Sequence, residues 1–217
     1  MMLPRIFLSK LTALILGGLF LAGVPALAQT LPTGPAPVAP DLENMLVLDL
    51  STGGRVTIQM LPAIAPAHVE RIKTLTRQGF YNGVIFHRVI EGFMAQTGDP
   101  KGTGQGGSEL PDLKAEFNRT PHLRGTVSMA RTNEPDTANS QFFICFQPRF
   151  NLDNKYTVFG RVTSGMQFVD AIERGEPPAN PSQVLQASIA ADNVPPPAFP
   201  KQPVAEKPIT VDQLSGS

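Results

Sequence analysis

The 217-residue chain has little cysteine and no excess of charge of either sign. Its single cysteine, Cys145, excludes an internal disulfide, so a packed core has to stabilise the fold. Lys and Arg together number 18, as do Asp and Glu, and no run of basic residues is interleaved with aromatic ones. Because a face that binds nucleic acid needs clustered Lys and Arg, we expect no nucleic-acid partner.

The chain also lacks the motifs of several common catalytic sites. It contains no Gly-x-Ser-x-Gly motif, no phosphate-binding loop and no His-Glu-x-x-His motif. The three histidines are scattered, without the spacing of metal ligands. Cys145 follows the apolar residues 142–144, which predicts a buried core position rather than a nucleophile. We therefore expect any enzymatic activity to need no metal, no other cofactor and no covalent intermediate.

The N-terminal segment has the pattern of an export signal. Two basic residues precede an apolar stretch at residues 11–24, and a small-x-small pattern follows at residues 26–28. The apolar stretch is shorter than the ~20 residues that span a bilayer, and the well-formed cleavage site favours a cleaved signal peptide at residues 1–28 over an uncleaved membrane anchor. The mature protein is expected to be an exported monomer that is free of the membrane. Its compartment would be the periplasm, or the thylakoid lumen in a photosynthetic organism.

Proline divides the rest of the chain. Prolines are concentrated before residue 44 and again from residue 177 onward, where they are interpreted as extended segments that build no core. We predict a Pro-rich linker at residues 29–43, a folded domain at 44–192 and a Pro-rich tail at 193–217.

Hydrophobic alternation within the domain predicts a mainly β fold. Residues 51–54 read as the turn of a hairpin. Pro in the first turn, apolar residues at helical spacing and a following glycine predict a first helix, and Ser164 is the predicted cap of a second. Predicted strands are 45–50, 55–60, 84–89, 93–97, 126–130, 141–146, 157–162 and 187–191, and predicted helices are 66–78 and 164 to about 174. Such elements favour a closed antiparallel barrel with a helix over each open end.

Three segments carry residues that a barrel core does not require. Residues 86–96 read FHRVIEGFMAQ; residues 128–131 read SMAR and are followed by NSQFFI at 139–144; residues 151–160 read NLDNKYTVFG. The simplest interpretation of Arg88 is an arginine that pairs with a surface carboxylate. The simplest interpretation of the aromatics is core, which strand alternation favours for Phe142 and Phe159.

In order and spacing, these segments resemble the cyclophilin family of peptidyl-prolyl cis-trans isomerases, over about residues 45–192. The resemblance implies an eight-stranded barrel with two capping helices. It also implies rotation of X–Pro bonds in proline-containing polypeptides on an outer groove of the barrel, which would assist folding outside the cytoplasm. The alternatives are a module that binds proline segments with little turnover, or a purely structural barrel. A binding-only relative would be expected to lose the arginine or the glutamine, and both Arg88 and Gln96 are present.

The resemblance also assigns roles by position. Arg88 would be the catalytic arginine, and Gln96 would bond near the substrate carbonyl and help to place Arg88. The other implied contacts are Phe93, Met94, Phe143 and Leu152 around the proline ring, Gln141 and the main chain of Arg131 on the peptide backbone, Ala130 and Thr132 beside a neighbouring pocket, and Tyr156 as an aromatic wall.

Two positions depart from the best-known eukaryotic pattern. Asn151 stands where that pattern has tryptophan, and Tyr156 stands where it has histidine. Tyr156 can still supply an aromatic surface, whereas Asn151 removes one together with an indole donor. The loss at Asn151 bears on cyclosporin binding more than on catalysis.

Overall fold

The computed structural model describes residues 41–200. Its strands are β1 (Met45–Leu50), β2 (Gly54–Met60), β3 (Arg88–Ile90), β4 (Met94–Thr97), β5 (Thr126–Met129), β6 (Phe142–Cys145), β7 (Val158–Ser164) and β8 (Val184–Ile189), and its helices are α1 (Pro66–Arg77) and α2 (Met166–Asp170). The predicted signal peptide and most of the predicted linker and tail lie outside the described residues. None of the helices in this range has the length and apolarity needed to cross a membrane.

Eight antiparallel strands form one curved sheet in the order β3-β4-β6-β5-β7-β2-β1-β8. The predicted mainly β fold with eight strands and two helices is confirmed. The predicted closed barrel would need the two edge strands, β3 and β8, to pair with each other along their length. They do not pair in this way. Main-chain bonds between residues 83–86 and 182–184 join the two ends instead, among them Phe86 N–H to the Ser182 carbonyl at 2.8 Å.

The predicted hairpin is confirmed. β1 and β2 pair from Met45 opposite Gln59 to Leu50 opposite Gly54. Side chains in β2 alternate between buried and half-buried positions, as a strand with one face on a core requires.

The first helix is confirmed as well. Pro66 occupies its first turn, where a missing N–H costs nothing, and Gly79 follows the helix with φ +72°, a conformation that favours glycine. Val69, Ile72 and Leu75 are buried and pack into the same cluster as the inner faces of the strands. Helix α1 thus supplies part of the barrel core.

The second helix is shorter than predicted, and Ser164 does not cap it. Ser164 is the last residue of β7, and Gly165 precedes the helix with φ +83°. A Cβ on Gly165 would lie 2.1 Å from the main-chain oxygen of Arg55, so only glycine allows this close approach to β2. The helix ends at Asp170, whose carbonyl accepts a 2.7 Å bond from Nη1 of Arg174.

The beginning of the second proline-rich stretch, residues 177–183, is not an extended flank. Gly175 and Val89 exchange two main-chain bonds of 2.8 and 2.9 Å, so the 173–183 loop lies along the free edge of β3. The last strand starts at Val184, three residues earlier than predicted, and its pairing with β1 explains this start. The predicted strand 84–89 begins only at Arg88, because residues 84–86 bond to this loop and to β8 instead.

Candidate active site

Two neighbouring strands place apolar side chains on the outer face of the barrel. On β6, Phe142 and Ile144 point into the core, whereas Phe143 and Cys145 belong to a second buried cluster with Met94 and Leu152. This outer cluster comprises Met94, Phe143, Cys145 and Leu152, with Ile90, Phe93, Ala130 and Tyr156 packed around it. Cys145 is fully buried, and burial raises the pKa of its thiol to about 12, which confirms the predicted structural role.

A cavity of about 200 Å³ opens above the outer cluster. Its lining consists of Arg88, Phe93, Met94, Gln96, Ala130, Arg131, Phe143, Leu152 and Tyr156. The rings of Phe143 and Tyr156 meet edge to face with centroids 5.9 Å apart, and those of Phe93 and Phe143 are 6.5 Å apart. The result is a small pocket with apolar walls and with two guanidinium groups, those of Arg88 and Arg131, and one amide, that of Gln96, on its rim.

A second cavity of about 460 Å³ adjoins the first. Gln96, Ala130 and Arg131 line both cavities, and Thr132 and Gln141 line only the second. The two cavities together therefore contain all of the site residues that the sequence singles out.

Arg88 and Gln96 lie directly opposite each other on β3 and β4. Nε2 of Gln96 donates a 2.8 Å bond to Oε1 of Gln141, and Nε2 of Gln141 donates a 2.7 Å bond to the Gly106 carbonyl. Nε of Arg88 donates a 2.7 Å bond to Oε2 of Glu176. The hydrogen-bond partner of Arg88 is therefore Glu176, and the expectation that the neighbouring Gln96 helps to place the arginine stays a prediction.

Comparison with known proteins agrees with this geometry. A family model described as cyclophilin type peptidyl-prolyl cis-trans isomerase/CLD matches residues 47–190. The chain belongs to this family of peptidyl-prolyl isomerases. A probable peptidyl-prolyl cis-trans isomerase of Brucella suis is 48% identical over 170 residues, covering 71% of this chain and 86% of the relative. An isomerase of Helicobacter pylori is 45% identical over 127 residues, covering 57% of this chain and 77% of the relative.

Solved cyclophilin structures have the same fold. AquaCyp293 from Hirschia baltica superposes with a TM-score of 0.65 at 30% identity, over 71% of this chain and 77% of that one. A Cryptosporidium parvum cyclophilin, crystallised in the presence of the dipeptide Ala-Pro, superposes with a TM-score of 0.63 at 26% identity, over 67% of this chain and 98% of that one.

The glycine-rich loop beside the second cavity of this cyclophilin is organised by Asp99. The carboxylate is fully buried and accepts main-chain N–H bonds from Lys101, Thr103, Gly104 and Gly106 at 2.7–3.1 Å. Burial by itself would raise the pKa of Asp99, but the hydrogen bonds to its carboxylate outweigh burial and hold the pKa at about 2. Asp99 is not among the residues predicted from the sequence, although an Asp that opens a glycine-rich loop is a usable signal.

Two further groups fix the aromatic walls. The His122 ring stacks on Phe143 with centroids 6.2 Å apart, and its nitrogens lie 2.8 Å from Oδ1 of Asp153 and 3.1 Å from Oγ of Ser128. The Arg131 guanidinium lies 4.5 Å from the centroid of the Tyr156 ring. No local pattern identifies these roles, because each contact joins separate segments of the chain.

The Arg131 side chain also bonds to its surroundings. Its Nη2 donates a 2.7 Å hydrogen bond to the carbonyl oxygen of Lys155, which directly precedes Tyr156. Arg131 therefore stabilises the wall formed by Tyr156, in addition to the main-chain role that the resemblance implies.

The part of the chain that the structure describes contains no cluster of three or more His, Cys, Asp or Glu side chains able to hold a metal ion. His68 and His122 each lie beside a single carboxylate, that of Glu116 and that of Asp153 respectively. The polar side chains at the pocket rim are the guanidinium groups of Arg88 and Arg131 and the amide of Gln96, and the amide of Gln141 lies in the adjoining cavity.

Proposed function

We propose that Arg88 is the catalytic residue with which this isomerase rotates X–Pro bonds, and that its substrates are proline-containing segments of exported proteins. The observation that carries the first part is the position of the guanidinium at the rim of the 200 Å³ apolar pocket. Among residues 41–200 its hydrogen-bond partner is Glu176, which takes Nε and leaves both Nη groups available.

The pocket suits the ring of a proline. Met94 and Phe143 form its floor at 1% and 4% exposure, and Leu152 and Tyr156 stand at its side. Burial of a proline ring there removes its apolar surface from water, which favours binding of the ring in the pocket. The presence of Ala-Pro in the crystals of the Cryptosporidium parvum relative supports a proline-containing ligand.

Rotation about the amide needs no bond to a heavy atom to break. Its barrier is about 18–20 kcal/mol because resonance gives the C–N bond partial double-bond character. In the twisted state the proline nitrogen loses conjugation, and its lone pair can accept a hydrogen bond. A guanidinium supplies that donor at any working pH, and the bond strengthens only as the amide twists, which is the condition for catalysis.

Arg88 acts together with groups that hold the peptide. A hydrogen bond to a charged group contributes about 1.5–3 kcal/mol net, which is less than a large acceleration requires. The apolar pocket and the linked amides of Gln96 and Gln141 fix the ring and the backbone on either side of the rotating bond. Their contribution is orientation of the substrate, which lowers the barrier further.

The test replaces the guanidinium. Arg88→Ala should lower kcat/KM for a short X-Pro peptide by about 10- to 150-fold, the equivalent of the lost bond, without changing the melting temperature. Arg88→Lys should recover little, because an ammonium lacks the planar fork. Arg161→Ala, an exposed arginine on β7, serves as the control and should retain full activity.

The same assay distinguishes an isomerase from a module that only binds proline segments. A wild-type protein that binds the peptide but leaves exchange at the uncatalysed time of about 10–100 s would be a binding module. A folded Arg88→Ala variant with wild-type turnover would instead remove Arg88 from the mechanism.

The proposed location rests on residues 1–28, whose basic, apolar and small-residue pattern is that of a signal peptide. Cell fractionation and mass spectrometry should find the mature protein outside the cytoplasm with Gln29 at its N-terminus. Sedimentation of that species should give the mass of a monomer. A cytoplasmic protein with an intact N-terminus would contradict this part of the proposal.

A further inference from the structure

Arg88 lies between two neighbouring segments of the chain, and each of them places one residue directly opposite it. On β4 that residue is Gln96. On the other side, the antiparallel bridge between Val89 and Gly175 places Glu176 opposite Arg88, one step along each segment. The carboxylate therefore stands beside the guanidinium because of main-chain register and not through a chance surface encounter.

The main chain that carries Glu176 is held firmly. Gly175 exchanges two bonds with Val89 at 2.8 and 2.9 Å, and Ser182 at the far end of the loop accepts a 2.8 Å bond from Phe86 N–H. Gly175 has φ +148°, and a Cβ there would lie 2.5 Å from Cα of Pro178, so the loop path depends on glycine at this position. Glu176 consequently projects from a fixed point.

The contact engages one edge of the guanidinium. Oε2 of Glu176 accepts the Nε–H of Arg88 at 2.7 Å, and both side chains are about half exposed. A bond at Nε fixes the plane of the group, while the two Nη groups remain for a substrate. A long side chain that is otherwise free to change rotamer is thereby oriented before the peptide arrives.

We propose that Glu176 is a positioning residue for Arg88: it holds the guanidinium plane toward the proline pocket and so raises kcat. The inference rests on the proposed catalytic role of Arg88. Because the pair is exposed to water, its effect is modest, about two- to fivefold in rate.

The test compares three variants in the full chain. Glu176→Ala should lower kcat about two- to fivefold with little change in KM, because the substrate contacts of the pocket are intact. Glu176→Gln keeps an acceptor for Nε–H and should recover part of the loss. Glu91→Ala is the matched control, since Glu91 accepts a 2.7 Å bond from Nε of Arg174 beside the same loop but outside the pocket.

A spectroscopic measurement tests the contact without activity. The Nε–Hε signal of Arg88, assigned by its loss in Arg88→Lys, should exchange slowly with water in the wild type and rapidly in Glu176→Ala. If Arg88→Ala retained activity, the proposed function would fail, yet this signal would still report whether Glu176 orients the group.

Several outcomes would overturn the inference. An unchanged kcat in Glu176→Ala would show that Arg88 needs no partner. A higher kcat would show that Glu176 restrains Arg88 away from the substrate. Equal losses in Glu176→Ala and Glu91→Ala would assign the effect to the loop edge in general.

Discussion

Phe142 and Phe143 are adjacent on β6, yet they belong to different apolar clusters. Phe142 is fully buried inside the barrel, with its ring edge to face against Tyr81 and Phe159 at centroid distances of 5.6 and 5.9 Å. Phe143 lies on the outer face, where the packing stops short and leaves the 200 Å³ pocket. The same residue type on one strand thus fills the core on one face and lines an open pocket on the other.

The difference between the two faces follows from what covers each of them. The inner faces of the strands meet one another and helix α1, so the inner cluster is closed on all sides. Neither α1 nor α2 contributes a residue to the outer cluster; Leu152 of the short 3-10 helix Phe150–Leu152 belongs to it, and Ala130 and Tyr156 border it. An apolar surface left open in this way is available to a ligand.

The largest expected effect is a contrast between Phe142→Ala and Phe143→Ala in stability and in activity. Phe142→Ala should reduce the free energy of unfolding by about 3–5 kcal/mol, because it leaves a closed cavity in the core. Phe143→Ala should cost less stability, since its site already opens to solvent, and should lower kcat/KM tenfold or more through loss of the pocket floor. Denaturant titrations and peptide turnover per folded molecule measure the two quantities. Similar stability losses with full activity in both variants would abolish the distinction between the two faces.

The next effect concerns the polar loop beside the outer face. The pKa of Asp99 lies at about 2, below its ordinary 3.8, so the group contributes stability that is complete above about pH 4 and is lost as the pH falls toward 2. The contribution is about 2 kcal/mol. Asp99→Asn should remove it, so the stability difference from wild type should shrink between pH 5 and pH 2. Glu109→Gln, an exposed carboxylate of the same loop, is the control; a constant difference for Asp99→Asn would show that the loop does not depend on this charge.

The smallest expected effect comes from a substitution that adds an aromatic side chain at the rim of the outer cluster. Asn151 is exposed on the 3-10 helix next to Leu152. Asn151→Trp should change peptide turnover less than twofold but tighten cyclosporin binding about tenfold, as one added hydrogen bond of about 1.4 kcal/mol would. Calorimetric titration of both proteins measures the difference, and tight binding by the wild type would show that the aromatic surface is not needed.

The sequence by itself determined the features that depend on local periodicity and on residue type. Alternation along β2 and β6 assigned side chains to faces correctly, and Cys145 was predicted to be buried from its apolar neighbours. The first helix could be bounded from its proline and glycine, because these residues act on the backbone within one turn. The site residues were assigned through the resemblance of three segments to the cyclophilin family, and the structure brings them into two adjoining cavities.

Only the tertiary structure decided which polar groups meet. Arg88 and Glu176 are 88 residues apart and face each other because Gly175 pairs with the edge of β3. Neither the proline content around residue 177 nor the composition of the loop indicates that pairing. Likewise, the second helix starts at Met166 and not at Ser164 because Gly165 approaches the backbone of β2. Strand register and close backbone approach arise between distant segments, so a local pattern that reports which face is buried cannot report which partner lies across from it.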